Sequence, residues 1–80
     1  MHGRYQAQRE QALAQPLTSM QLLGVVQTGK VAVALVLAGG HTWRVKAGER
    51  LGAQGLRVLG VTATAVQLSQ GQTLAVAAEN

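Results

Sequence analysis

From residue 20 onward the chain is a series of short apolar runs, each separated from the next by a turn. The sequence has 80 residues, with ten glycines and no cysteine. Runs of this length, bounded by turn residues and regularly spaced, are typical of small all-β domains. We therefore predict a small antiparallel β-sandwich or partly open barrel of about six strands. The predicted strands are residues 21–27, 30–37, 42–46, 56–61, 65–69 and 72–77.

The run at residues 30–37, KVAVALVL, is apolar on both faces of a strand. Such runs are typical of central strands that are covered on both sides. A buried helix is the competing interpretation, but the β-branched residues and the bounding glycines favour a strand. No membrane span is visible in the sequence, since the longest apolar stretch has eight residues and a bilayer-spanning helix needs about 20.

The run at residues 42–46 contains Trp43, the only tryptophan of the chain. Trp43 and Val45 point to one face of this strand, and the polar residues around them point to the other. Without disulfides a domain of this size relies on its apolar core, and hydrophobic residues make up 48% of the chain. We predict that Trp43 lies in this core. A ligand-stacking or interface role is the alternative.

The first 19 residues differ from the rest of the chain, because they are rich in glutamine and alanine. Their composition favours a helical turn or two over residues 4–14, which Pro16 ends. Isolated helices this short are marginal in water. We predict a flexible or short helical tail, with residues 1–19 as a linker or tail and residues 20–80 as the β domain. On this interpretation the tail can be removed without unfolding the domain.

Residues that carry catalytic or metal chemistry are few in this chain. His2 and His41 are the only histidines, aspartate is absent, and the three glutamates lie far apart in the sequence. A metal site needs three or four converging ligands, and a catalytic triad needs an orienting carboxylate beside its base. The glycines of residues 48–52 do not form a phosphate-binding loop, because no Lys-Ser/Thr pair follows them. We predict a non-catalytic domain with no metal, no cofactor and no small-molecule substrate.

The formal net charge is +4, and the basic residues are scattered rather than clustered. Arg44, Lys46 and Arg57 are the candidates for a basic stripe on an exposed face. Such a stripe serves solubility or faces an acidic partner. A small basic β-barrel that binds nucleic acid is the alternative function. It is disfavoured because single-strand binding usually needs several stacking aromatics, and the β region has only Trp43.

The first predicted strand, residues 21–27, begins the sheet and carries no charge and no proline. Edge strands are usually protected by one or the other, so an unprotected edge suits pairing with a strand of another protein. The alternative is that the tail or the last strand covers this edge. The predicted partner-binding residues are Leu22, Leu23, Gly24, Val25, Val26 and Arg44.

Several motifs follow one another in a distinctive order. A Leu-x-Gly start precedes an apolar strand, an aromatic-Arg-Val strand runs into a Gly-Glu turn with a following leucine, and the spacing G-x-x-V-x-x-V-x-x-x-x-V-x-L comes next. The residues concerned are Leu22-Leu23-Gly24, Trp43-Arg44-Val45, Gly48-Glu49-Arg50-Leu51, Gly55, Val58, Val61, Val66 and Leu68. Over about residues 20–77 the chain resembles the periplasmic homology region of the type II secretion inner-membrane clamp protein and the related type IV pilus lipoprotein family, PilP.

This resemblance implies a small β-sandwich that is tethered to the inner membrane through an N-terminal anchor and linker. It also implies a periplasmic location and a role in linking inner-membrane platform proteins to the periplasmic domain of an outer-membrane secretin. The anchor is expected to belong to the full-length parent, outside this chain. Two positions depart from the family pattern: Thr62-Ala63-Thr64 replaces a turn that commonly contains aspartate, and Glu49 stands where aspartate is common.

Overall fold

The computed structural model describes residues 2–76, and the side chains from residue 6 onward. No helix in this part of the chain is long and apolar enough to cross a membrane. Two short 3₁₀ turns connect the regular elements, at Leu17–Ser19 and Ser69–Gly71. The elements are α1 (His2–Leu13), β1 (Gln21–Thr28), β2 (Val31–Ala38), β3 (His41–Val45), β4 (Arg50–Leu51), β5 (Leu56–Val61), β6 (Ala65–Leu68) and β7 (Thr73–Ala75).

The strands form two antiparallel sheets, one with the order β1-β2-β3 and one with the order β4-β5-β6-β7. A single parallel bridge between Leu22 and Val76 joins the start of β1 to the chain after β7. This confirms the all-β prediction. The strand count differs by one, because Arg50 and Leu51 pair with Arg57 and Leu56 to make a strand of two residues. Two residues are too few to produce a recognisable alternating pattern in the sequence.

The core lies between the inner faces of the two sheets. Both sheets contribute to it: the largest fully buried side chains include Val36 and Val45 from the first sheet and Val58 and Val66 from the second. Trp43 is 5% exposed, which confirms its predicted place in the core. Its indole Nε1 donates a 2.8 Å hydrogen bond to the carbonyl oxygen of Ala38. This bond satisfies the polar atom that burial of a tryptophan otherwise leaves without a partner.

Strand β2 is central in its sheet, as predicted, but only one of its faces is fully covered. Ala34, Val36 and Ala38 are buried on the inner face. The opposite face carries residues 31, 33, 35 and 37, which are exposed or half-buried. The elements in substantial contact with β2 are β1, β3 and β5. The first two are its neighbours in the sheet and the third belongs to the facing sheet, so none of the described elements forms a second layer over the outer side.

The N-terminal segment forms a helix, as one of the two predicted alternatives, and this helix packs against the sheets. Ala12 and Leu13 at its end belong to the hydrophobic core, and Leu17 packs against that core. The backbone N–H of Gly52 donates a 2.7 Å hydrogen bond to the carbonyl oxygen of Leu13. The prediction of a tail apart from the core is therefore wrong for Ala12 and Leu13. Whether residues 20–80 fold without the segment stays a prediction.

Candidate protein-binding surface

A β-bulge near the start of β1 decides which of its side chains reach the surface. Leu22 pairs with Val36 and Gly24 pairs with Leu35, so Leu23 has no partner opposite it. A bulge inserts one residue and shifts the alternation of the strand that carries it. Leu22, opposite the buried Val36, is 1% exposed, and Leu23 is 46% exposed. Because of the inserted residue, Val25 lies on the same inner face as Leu22, although the two are three residues apart. The predicted contribution of the Leu22 side chain to partner binding is a misassignment, because this side chain fills the core.

Beyond the bulge, the side chains of β1 alternate regularly again. Val25 lies opposite the buried Ala34 and is half-buried, whereas Val26 lies opposite Val33 and is exposed. Within the described residues, pairing on the side of β1 away from β2 is limited to the bridge between Leu22 and Val76. Among the described residues, the chain after β7 therefore pairs only with the beginning of this edge. On the side of β1 away from β2, the backbone groups of residues 24–28 pair with no described strand. These residues include no charged residue and no proline.

The outer face of the first sheet is apolar beside this edge. We define the outer face as Val26 of β1 with Val31, Val33, Leu35 and Leu37 of β2, which the pairing register places on one side of the sheet. Val26 and Val31 are exposed and the other three are half-buried. Single exposed apolar side chains are normal on protein surfaces, but a contiguous apolar patch marks an interaction site.

Arg44 borders the outer face on the side away from β1. It pairs with Leu35 across β2 and β3, and its side chain is exposed. The structure therefore brings Val26 and Arg44 to one face of the sheet. Exposed Leu23 lies at the bulge, and Gly24 and Val25 contribute backbone at the edge. The basic stripe expected from the sequence does not extend to Arg57, which belongs to the second sheet.

A contact that sequence reasoning missed lies at the opposite edge of the same sheet. Nη2 of Arg9 donates to the carbonyl oxygen of Arg44 at 2.7 Å and to Oε2 of Glu49 at 2.9 Å. The second oxygen of Glu49 accepts a 2.8 Å hydrogen bond from the backbone N–H of Lys46. Helix α1 is thus attached to the edge strand β3. Arg9 and Glu49 are 40 residues apart in the sequence, so no local pattern could reveal this pair.

Potential metal ligands do not cluster in the described part of the chain, and His41 packs against Trp43. No group of three or more His, Asp or Glu side chains converges within residues 2–76. The ring of His41 packs edge-on against Trp43, with the ring centroids 5.8 Å apart. The depression beside these rings is lined by Gln8 and Gln11 of α1 and by Gln15 and Ser19 of the segment that follows the helix. Ser19 and His41 both border it, but no hydrogen bond joins the hydroxyl to the imidazole, as an activated nucleophile would require.

The fold and surface define a small β-sandwich domain. Its first sheet has an apolar outer face and, within the described residues, an edge on β1 that lacks a strand partner beyond residue 22. The family model described as "Pilus assembly protein, PilP" matches residues 2–73. This chain belongs to the PilP family of pilus assembly proteins. The family resemblance seen in the sequence is thereby confirmed, and the matched region includes helix α1, strands β1–β6 and the first residue of β7.

Solved structures show the same fold. The solution structure of PilP from Pseudomonas aeruginosa superposes with a TM-score of 0.72 at 18% identity, over 85% of this chain and 73% of that one. A domain of the type IV pilus biogenesis lipoprotein PilP from the same organism superposes with a TM-score of 0.69, also at 18% identity, over 81% of this chain and 88% of that one. At this level of identity the likeness establishes the β-sandwich fold. Comparison with curated protein sequences gives no significant match.

Proposed function

We propose that this domain is a non-catalytic periplasmic interaction module of type IV pilus biogenesis. In this role it links inner-membrane platform proteins to the periplasmic domain of the outer-membrane secretin. Membership of a family of pilus assembly proteins supports the proposal. The single observation that carries it furthest is that no described strand pairs with residues 24–28 on the side of β1 away from β2, next to an apolar outer face.

The proposed mechanism of binding is addition of a partner strand to β1. Backbone N–H and C=O groups of residues 24–28 pair with the incoming strand and set its register. Val26 and Leu23, both exposed, fill apolar pockets of the partner. Arg44 lies beyond β2 on the same face, so it acts on the rate of encounter more than on the affinity.

The proposed location is the periplasm, with the domain tethered to the inner membrane through an anchor of the full-length parent. A structural relative of this chain is described as a lipoprotein of type IV pilus biogenesis, which supports this location. The burial of Trp43 speaks against the nucleic-acid alternative, because the only aromatic ring in the β strands besides the imidazole of His41 is unavailable for stacking on bases.

The test is calorimetric titration of a secretin periplasmic domain into the wild-type chain and into Val26→Lys. Lysine on an edge strand is a device by which proteins prevent strand addition, and Val26 is exposed, so the variant is expected to fold. We expect at least a tenfold loss of affinity, which corresponds to about 1.4 kcal/mol.

The matched control is Ala63→Lys, which adds the same charge at an exposed turn of the second sheet and should bind as the wild type does. Equal affinity of Val26→Lys and wild type would exclude the β1 edge as the docking site. Absence of binding by the wild type would contradict the secretin as partner.

A further inference from the structure

Two arginines lie directly opposite each other on the exposed side of the second sheet. Arg50 of β4 pairs with Arg57 of β5, and the neighbouring pair, Leu51 with Leu56, is buried. Both arginine side chains are exposed. Like charges at directly opposed positions of an antiparallel pair destabilise a sheet. The repulsion between these two arginines therefore lowers the stability of the domain, and no contact of the fold requires both of them to be basic.

Neither arginine forms an ion pair with an acidic side chain of the described residues, although Arg50 borders a depression that Glu10 and Glu49 also line. Glu49 is engaged by Arg9, in the one ion pair formed within residues 2–76. Glu10 lies on α1 and forms no ion pair in this part of the chain. The Arg50 guanidinium is held in place by a 2.9 Å hydrogen bond from Nη1 to the carbonyl oxygen of Gly55. The guanidinium of Arg57 makes no hydrogen bond to the described residues, so its five donors are available to a ligand.

An apolar side chain completes this surface. Leu59 is two residues beyond Arg57, so the two share a face of β5. It is 60% exposed, more than any other large apolar residue that the structure describes. It also sits at a bulge, since Val58 and Gly60 pair with consecutive residues of β6. Bulges re-aim side chains. We call Arg50, Arg57 and Leu59 the second-sheet patch.

We propose that the second-sheet patch binds an acidic segment of a partner protein. A carboxylate of the partner lies between the guanidinium groups of Arg50 and Arg57, and an apolar side chain beside it covers Leu59. The guanidinium fork matches the geometry of a carboxylate and forms paired, charge-assisted hydrogen bonds with it. Such a ligand relieves the repulsion between the two arginines. The net charge of +4 adds a long-range attraction to acidic partners.

The geometry favours a protein segment over an anionic membrane surface. Electrostatic binding to membranes usually uses clusters of roughly four to eight basic residues, whereas the patch has two arginines, one of them fixed by Gly55. The patch lies on a different sheet from the β1 edge. Binding at one surface therefore does not depend on binding at the other, and the two proposals can fail separately.

The experiment is selection of a random 12-residue peptide display library on the immobilised wild-type chain, followed by titration of the enriched peptides in solution. We expect peptides enriched in Asp and Glu next to an apolar residue, with affinities that fall as salt rises. The decisive variant is Arg57→Glu. It replaces a repulsive cross-strand pair by an attractive one, so its thermal midpoint should equal or exceed that of the wild type while the peptide affinity falls at least tenfold.

Lys30→Gln is the control, because it removes one exposed positive charge from the turn between β1 and β2. It should retain binding. The proposal would be overturned if the selected peptides had no excess of acidic residues. It would also be overturned if they bound Arg57→Glu and the wild type with equal affinity. A lowered midpoint of Arg57→Glu would indicate a structural role, and Arg57→Gln is then measured with the same criteria for binding. Recovery of no acidic peptide, together with binding of the wild type alone to phosphatidylglycerol vesicles, would assign the patch to lipid.

Discussion

Nη2 of Arg9 lies 2.9 Å from Oε2 of Glu49 and joins the N-terminal helix to the turn that follows β3. Glu49 is itself positioned by the backbone N–H of Lys46, and Arg9 also reaches the carbonyl oxygen of Arg44. The hydrogen bond from Arg9 thus occupies the carbonyl oxygen of Arg44 on β3, which is one edge strand of the first sheet. The opposite edge, at residues 24–28 of β1, has no such cover among the described residues. The asymmetry singles out β1 as the edge available for strand addition.

Arg9→Ala should lower the free energy of unfolding by about 1 kcal/mol, because it removes a half-exposed ion pair and a charge-assisted hydrogen bond. Glu49→Ala should have a similar effect. In a double-mutant cycle measured by denaturant unfolding, the two changes should be coupled by roughly 0.5 kcal/mol. Strictly additive effects would show that the pair does not hold the helix in solution.

Removal of residues 1–19 should leave a domain that still unfolds cooperatively, but with a free energy of unfolding lower by roughly 2–4 kcal/mol. The loss comes from uncovering the surface that Ala12 and Leu13 bury. Thermal unfolding of the chain that begins at Met20 provides the measurement. Loss of the cooperative transition would make the helix an obligatory part of the domain, and an unchanged midpoint would show that its packing contributes nothing.

Gly39→Ala and Gly29→Ala form a matched pair that reports on helix packing. Both glycines have a φ of +60°, so the backbone strain of alanine is the same at both. A Cβ at Gly39 comes within 3.2 Å of Ala12 Cβ, while a Cβ at Gly29 meets nothing within 4 Å. Each change should cost about 1 kcal/mol of stability from strain, and Gly39→Ala should cost more. The difference should vanish in the chain that lacks residues 1–19.

Trp43→Ala should lower the free energy of unfolding by about 3–5 kcal/mol, because it leaves a cavity in the core. Trp43→Phe keeps much of the ring volume but loses the hydrogen bond to the Ala38 carbonyl, so we expect a smaller loss, about 1–3 kcal/mol. Denaturant unfolding of the two variants separates the contribution of packing from that of the hydrogen bond. Wild-type stability of Trp43→Ala would contradict the buried position of the ring.

Sequence by itself determined the features that depend on neighbouring residues. Alternation around Trp43 predicted both the strand and the burial of the ring, and the turn residues between the apolar runs at 21–27 and 30–37 predicted β1 and β2 as separate strands. The order of short motifs also identified the family. These inferences succeed because strand periodicity and glycine turns are set by chain geometry within a few residues.

Tertiary structure alone decided which predicted surface residues are available. The bulge places Leu22 and Val25, three residues apart, on the inner face and turns Val26 outward, which an unbroken alternation cannot show. The bridge from Val76 decides where the open part of the β1 edge begins. Contacts of Leu13 with Gly52, and the opposition of Arg50 and Arg57, depend on how distant segments meet. Their positions follow from the curvature and register of the sheets, which result from packing of the whole core and not from any local stretch of sequence.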